Sequence, residues 1–594
     1  MIRTPLRPLA SIISAREKGE DPDLIQAQNI RQRHDDMRNR ERLRAESRLL
    51  VLGLAFMAAF VVVGVRMGGL AWSEPQEPRA DGYASAILTQ RADIIDRNGM
   101  VLATNMVTNS LYAQPPVMID KGLAARRLAE IFPDLNADDL AKKFNSKRKF
   151  IWLRRKISPE QMQVVHDIGE PGLMFGPREM RLYPNGNLAA HVLGGAGFGR
   201  EGVHSAEVIG VAGVEHTYDT FLRDPAAEGA PLQLSLDLTV QAATRRVLAG
   251  GMKLLSARGA SAVLMDVKTG EVISLVSLPD FDPNNRPRPL TTGDAADSPL
   301  FNRAAQGLYE LGSVFKPFTA AIALEDGLAT PDTMINTKGP LKWGKFTIRD
   351  FHDYGAALSL TDVIVKSSNI GTSRLAVEIG AGRQQAFLDS LGLFSPLPIE
   401  TPEAGQSRPM LPKRWSELST MTISYGHGMS ITPVHLAAAY SSLVNGGFKV
   451  TPTLIKSRDL IKPGPRVVGA DTSRAIRAML RQVVVRGTAS MGEVKGYHVG
   501  GKTGTADKPK PTGGYHKDKV IATFASVFPV YDPKYVLVVT FDEPVETSGP
   551  EPRRTAGWTA VPVGAEIIRR VAPLMGMRPE IEQPGAMNYT LSNY

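Results

Sequence analysis

The sequence predicts an α+β fold: a domain of antiparallel sheet and helices, carried behind a single N-terminal transmembrane helix and an elongated, β-rich pedestal. Three observations predict it. One uncharged apolar run near the N-terminus is long enough to cross a bilayer. Strand patterns open and close the second half of the chain, with helical patterns between them. Text rich in Gly and Pro, with short strands and turns, lies between the apolar run and that half.

The bulk composition sets the limits. The chain has 594 residues, 43% hydrophobic and 22% charged. That is enough for several globular domains and argues against overall disorder. The net charge is +10, but the basic residues are spread along the chain. Such an excess suits anionic lipid or an acidic polymer. No zinc-finger spacing or RNA-recognition motif accompanies it, so nucleic acid is not an expected partner. There is no cysteine, which removes disulfides and thiolate metal sites. No metal ligand set or phosphate loop is visible, and no cofactor is expected.

The apolar run is Leu49 to Val65. Arg66 interrupts it, but its long side chain can snorkel, and Met67 to Trp72 completes a span. Arg31, Arg33, Arg38, Arg40, Arg42, Arg44 and Arg48 precede the run, whereas Glu74, Glu77 and Asp81 follow it with Arg79. Positive-inside logic then keeps residues 1–48 cytoplasmic, spans with 49–72 and exports the rest. The preceding tail is too long for the n-region of a signal peptide.

After the span, 73–231 reads as the pedestal and 232–576 as the α+β domain, with a loose tail at 577–594. At Leu232 the text turns to a strand and then an Asp237-led helix. Two apolar strands flank Lys268-Thr269-Gly270, a hairpin signal. Helical stretches begin at Ser313, Leu360 and Pro433. Strands return at VIATFASVFPV and YVLVVTFDEP.

Three motifs carry chemistry. Ser313-Val314-Phe315-Lys316 places a serine and a lysine on one helix face. A serine at a helix N-terminus is an exposed nucleophile, and a neutral lysine one turn on can take its proton. Ser367-Ser368-Asn369 falls where one helical stretch ends and another starts. Lys502-Thr503-Gly504-Thr505 reads as a strand edge. Each is weak alone, since Ser146-Lys147-Arg148-Lys149 and Lys268-Thr269-Gly270 have the same spacings. Their order is not weak: Ser-x-x-Lys, Ser-x-Asn and Lys-Thr-Gly occur in that sequence, while Ser146 lies outside the α+β region and Lys268 precedes the serine.

This ordered set resembles that of penicillin-binding proteins and serine β-lactamases. The flanking text resembles class B penicillin-binding proteins, the division-specific FtsI type above all. Arg91-Ala92-Asp93-Ile94-Ile95-Asp96-Arg97-Asn98-Gly99 resembles that family's box after the anchor, with Ala92 where Gly is usual. Arg181 to Pro184, Ala190 to Gly194 and Gly210 to Glu215 resemble further pedestal motifs. Ser424-Tyr425-Gly426-His427-Gly428 resembles the segment between the second and third catalytic motifs. Leu311 stands where Pro is usual before Gly312.

The resemblance implies a peptidoglycan D,D-transpeptidase that cross-links peptide stems during septal wall synthesis. Ser313 would attack the carbonyl between the two terminal D-alanines of a pentapeptide stem. Lys316 would act as base, Ser367 as proton relay and Asn369 as the residue orienting Lys316. Lys502 would be the second cation, and Thr503, Gly504 and Thr505 would line the substrate carboxylate. The N–H groups of Ser313 and Thr505 would form the oxyanion hole. β-Lactams would acylate Ser313. The chain shows no glycan-polymerising domain, so the implied partners are an FtsW-type glycosyltransferase and other divisome membrane proteins. Gly64 and Gly68, with Gly53 further back on the same face, would allow close helix packing with such a partner. A hydrolytic β-lactamase, an elongation-specific transpeptidase and a non-catalytic penicillin-binding sensor or scaffold are the alternatives. The anchor and pedestal argue against the first, the long tail and SYGHG against the second, and the intact motifs against the third.

Overall fold

A computed structural model describes residues 7–72, 91–201, 206–227, 229–457, 462–510 and 512–580. Glu74, Glu77, Arg79 and Asp81, on which the expected orientation partly rests, lie outside the described residues, as does the tail beyond 580. The chain divides into two compact units. One takes in the N-terminal helices with 113–151 and 170–172; the other holds 80–112, 152–169 and everything from Leu173.

In the first unit the helix Pro22–Trp72 contains the apolar run. It starts well ahead of Leu49, so the basic tail is helical too. After Pro22 that tail has no Gly or Pro and is rich in Arg, Gln, Glu and Ala, all favourable in helices. The stretch Arg48–Met67 is long and apolar enough to cross a membrane, and no part of it is buried by protein. A helix apolar all round and uncovered suits lipid rather than water. Gly53 and Gly64 have open space beside them.

The same unit departs from the expectation of strands and turns. Helices span Lys121–Ile131 and Ala137–Phe144. The Asp120 side chain accepts from Leu123 N, and that of Asn136 from Asp138 N and Asp139 N. Such caps satisfy the free N–H groups of a first turn. Leu128, Leu140 and Phe144 form the buried stripe. Ser146 follows the second helix, exposed, its hydroxyl donating to Lys143 O at 2.6 Å.

In the second unit the pedestal sheet runs Ile151–Ile157, Val101–Ala113, Ile94–Ile95, Leu232–Gln233, with Leu173–Leu182 also on Val101–Ala113. Leu232 pairs in parallel with Ile94 and Gln233 with Ile95. The text on both sides of 231 therefore shares one sheet. The Arg91–Gly99 box adds further ties. Asp96 accepts from Asn98 N and Met100 N, both at 2.8 Å, and from Leu238 N at 3.0 Å. Arg97 pairs with Glu271 at 3.2 Å.

The second sheet has the order Gly500–Pro509, Tyr515–Phe528, Tyr535–Asp542, Gly259–Asp266, Val272–Leu278, every neighbour antiparallel. The strands Gly259–Asp266, Val272–Leu278 and Tyr535–Asp542 bury nearly every residue. Such strands read as continuous apolar runs because both faces are covered. Helices Leu238–Leu254 and Ala560–Leu574 pack on each other and on the sheet, and Pro433–Val444, buried throughout, packs on it as well. The strand Gly500–Pro509 is at the sheet edge, free to meet the helical region between the strands.

Candidate active site

The turn carrying Ser313 rests on that edge strand because two glycines let the backbones touch. A side-chain carbon on Gly504 would fall 2.1 Å from Leu311 O, and one on Gly312 would fall 2.8 Å from Thr505 O. Gly312 also has φ +63°, which suits a residue without Cβ. Leu311 is fully buried, so its replacement of the usual proline leaves the turn anchored by packing. Tyr440 OH donates to Val314 O at 2.7 Å and fixes the turn from the helix Pro433–Val444. The segment Gly312–Phe315 forms a single 3₁₀ turn that leads into the helix Lys316–Glu325. Ser313 is half-buried there and Lys316 is wholly buried.

The second motif caps a helix. Val365 ends one helix and Asn369 begins the next, with the Ser368 side chain accepting from Gly371 N. Ser367 lies between them at φ +63°, a strained value for a residue with a side chain. Strain of this kind persists where the surroundings over-determine the geometry. Here they do. Lys316 Nζ donates to the Ser367 carbonyl and to Asn369 Oδ1 at 2.8 Å, and it lies 3.1 Å from Ser367 Oγ. Lys502 Nζ reaches the same Ser367 Oγ at 2.9 Å and Thr503 O at 3.1 Å.

Both lysines are fully buried, and among the described residues neither has a carboxylate within ion-pair distance. Burial disfavours the charged form. It pushes the Lys316 amine well below its ordinary range, the nearby Lys502 charge pushes the same way, and Asp350 opposes them. Burial brings Lys502 down to about 7. A neutral Lys316 fits its partners. Its two N–H groups are taken by acceptors only, the Ser367 carbonyl and Asn369 Oδ1. Asn369 Nδ2 donates to Arg349 O at 2.9 Å, which fixes the amide's orientation. The amine lone pair is then left for a hydroxyl.

The structure thus gathers Lys316, Ser367, Asn369 and Lys502 by direct hydrogen bonds, with Ser313 on the turn that leads into Lys316. Gly504 and the half-exposed Thr505 lie on the edge strand, and Thr505 Oγ1 accepts from Ala556 N at 3.0 Å. Thr503 is buried, its hydroxyl 2.7 Å from that of Thr488. Lys268 stays exposed in its hairpin.

Two residues escaped the sequence reading. Asp350 accepts from Ser368 Oγ at 2.6 Å, Asn369 N at 2.5 Å and Ile370 N at 3.0 Å, so it holds the Ser-x-Asn turn from outside the motif. Thr488 supports Thr503. Neither falls at a spacing that sequence alone connects to the motifs. The only local signal is the preference of carboxylates for helix N-termini.

The cleft and the two sheets define a class. Residues 260–568 match the penicillin binding protein transpeptidase domain and 86–226 the penicillin-binding protein dimerisation domain. The chain belongs to the penicillin-binding protein transpeptidase family. Among its relatives it is 34% identical to the probable peptidoglycan D,D-transpeptidase FtsI of Caulobacter vibrioides over 550 residues, 90% of each chain. It is 29% identical over 538 residues to the FtsI of Escherichia coli K12, covering 85% of this chain and 87% of that one. Penicillin binding protein 3 of Mycobacterium tuberculosis, solved with aztreonam, superposes with TM-score 0.62 at 26% identity, over 83% of this chain and 99% of that one. The family, the FtsI type and the fold class expected from sequence all stand.

Proposed function

We propose that this chain is a septal peptidoglycan D,D-transpeptidase that works through an acyl-enzyme on Ser313. The observation that carries the reading is the position of Lys316 Nζ, buried, without a counter-charge, and held by Asn369 Oδ1 and Ser367. Lys316 takes the Ser313 proton as Oγ attacks the carbonyl between two D-alanines. Ser367, between the two lysines, relays that proton to the departing D-alanine amine. The Ser313 and Thr505 N–H groups receive the oxyanion, a stabilisation of about 3 kcal/mol per donor. Lys502 with Thr503, Gly504 and Thr505 holds the stem carboxylate. An amine of a second stem then takes the acyl group.

The FtsI relatives support a division role over elongation. The complexes of M. tuberculosis penicillin binding protein 3 with aztreonam and ampicillin support β-lactams as ligands here. We place residues 1–48 in the cytoplasm, 49–72 in the inner membrane, and the pedestal (73–231) and transpeptidase domain (232–576) outside it, the tail 577–594 following. The exposed glycines of the span favour docking of an FtsW-type glycosyltransferase, the source of fresh strands.

The test is covalent labelling by a fluorescent penicillin, mapped by peptide mass spectrometry. Ser313→Ala abolishes the label and Ser146→Ala keeps it. A label that survives Ser313→Ala contradicts the assignment.

A further inference from the structure

The Ser424–Gly428 segment has no part in the chemistry above, yet it is built against the nucleophile's turn. Gly312 N donates to Gly426 O at 3.1 Å. Gly426 has φ +83°, and a side-chain carbon there would meet Gly312 O at 2.0 Å. Two residues on, Gly428 N donates to Glu310 Oε1 at 2.8 Å. Loop and turn are clamped at both ends, with His427 one residue beyond Gly426 just as Ser313 is one residue beyond Gly312. Tyr515 OH donates to the same Glu310 Oε1 at 3.2 Å. The His427 imidazole stands between the rings of Tyr425 and Tyr515, with centroids 5.3 and 6.0 Å away.

Two polar atoms in this cluster lack a well-formed hydrogen bond. Glu310 Oε2 and His427 Nδ1 are buried without a hydrogen-bond partner. Native proteins rarely leave such atoms unmatched, and an unmatched carboxylate oxygen asks for a donor. Burial lowers the His427 pKa; the Glu310 charge, the Tyr425 carbonyl and the Asp507 charge oppose this, and Lys316 adds to the lowering only when it is protonated. The ring is therefore neutral near pH 7 and able to accept a proton.

Building on the Ser313 acyl-enzyme reading, we propose that Glu310 and His427 form the acceptor subsite of the second half-reaction and take a primary ammonium group. An ammonium ion has no lone pair and cannot attack. Glu310 Oε2 receives one of its N–H groups, and His427 takes one of its protons. The neutral amine attacks the Ser313 ester carbonyl and forms the C–N bond. Collapse breaks the bond from the acyl carbon to Ser313 Oγ, which regains a proton from the amine through Ser367 and Lys316. The proton on His427 passes to water. One ammonium and one ester become one amide, one serine hydroxyl and one released proton.

The full chain in detergent is given a D-alanyl thioester donor and D-alanine as the acceptor amine, and the ratio of aminolysis to hydrolysis is read. Counts are normalised to penicillin-reactive protein, which removes misfolded molecules. At pH 7 the ratio falls about tenfold in Glu310→Gln and in His427→Gln, beyond any fall in acylation. Glu310→Asp, which keeps the carboxylate, regains part of it. Near pH 10 a large share of the D-alanine amine is itself unprotonated, and the ratio of His427→Gln returns toward wild type. Ratios within about twofold of wild type at pH 7, or a His427→Gln loss that persists near pH 10, overturn the subsite. Wild-type label mapping away from Ser313 would instead overturn the acyl-enzyme reading, whatever the ratios.

Discussion

Among the described residues, two clusters of buried basic side chains are treated in opposite ways. Within the pedestal, Arg91 and Arg181 both reach Glu215, at 2.7 and 2.6 Å, and Arg91 also reaches Asp219 at 2.6 Å. The Arg91, Arg181 and Glu215 side chains are almost wholly buried there. Tyr183 OH adds a hydrogen bond to Glu215 at 3.3 Å. In the cleft, Lys316 and Lys502 are buried as deeply but share only the neutral Ser367 hydroxyl. Arginine stays charged in any protein, and the pedestal cluster supplies counter-charges. Lysine can give up its proton, so the cleft omits them and obtains a base. Equal burial thus makes a structural fastener in one place and a reactive group in the other.

The largest effect is expected where that difference is erased. Lys316→Arg places a permanent charge in the unpaired site and removes the base. Acylation by penicillin should fall on the order of 10²- to 10⁴-fold, nearly as far as in Lys316→Ala. A near-normal rate in Lys316→Arg would show that charge alone suffices.

The converse change is made in the pedestal cluster. Glu215→Ala strands two buried guanidinium groups and should destabilise the fold by about 3–5 kcal/mol. A lowered thermal midpoint reads this out. The acylation rate per folded molecule should stay near wild type, because Glu215 touches no part of the cleft. A large loss of rate with an unchanged midpoint would reverse the roles assigned to the two regions.

A smaller effect is expected at Asp350, the carboxylate nearest in influence to the unpaired lysines. Asp350→Asn removes the charge that gathers Ser368, Asn369 and Ile370. Acylation should drop about tenfold, equal to ~1.4 kcal/mol, through misplacement of Asn369 and Lys316. Stopped-flow acylation with the thermal midpoint separates this from global loss of stability.

The contrast between regions was legible in the sequence only on one side. Ser313, Ser367 and Lys502 announce themselves by order and spacing, because the chemistry demands fixed residue types. The sheet strands did so through unbroken apolar runs, and the span through its length. Glu215 lay inside a motif known only by resemblance, and nothing local says that it sits between Arg91 and Arg181. Asp350 and Thr488 act through space on motifs elsewhere in the chain, and Glu310, though close to Ser313, acts on Gly428 and Tyr515, so no periodicity marks them. The helices Lys121–Ile131 and Ala137–Phe144 were missed for a different reason. They are short, their apolar stripes are narrow, and the Gly- and Pro-rich text around them masks the Asp120 and Asn136 caps.

The central claim is that Lys316 is neutral and basic because it is buried without a counter-charge. The pH dependence of the penicillin acylation rate tests it most directly, since that profile reports the free enzyme's essential base. The Lys316 pKa is depressed from its ordinary 10.5, by burial first and by the Lys502 charge second. Its base form is therefore present down to that lowered value and lost below it. The rate should fall as pH drops through the depressed pKa, well below the ordinary lysine value, and lose this limb in Lys316→Arg. A rate that instead keeps rising through the alkaline range, with its midpoint at the ordinary lysine value, would contradict the account.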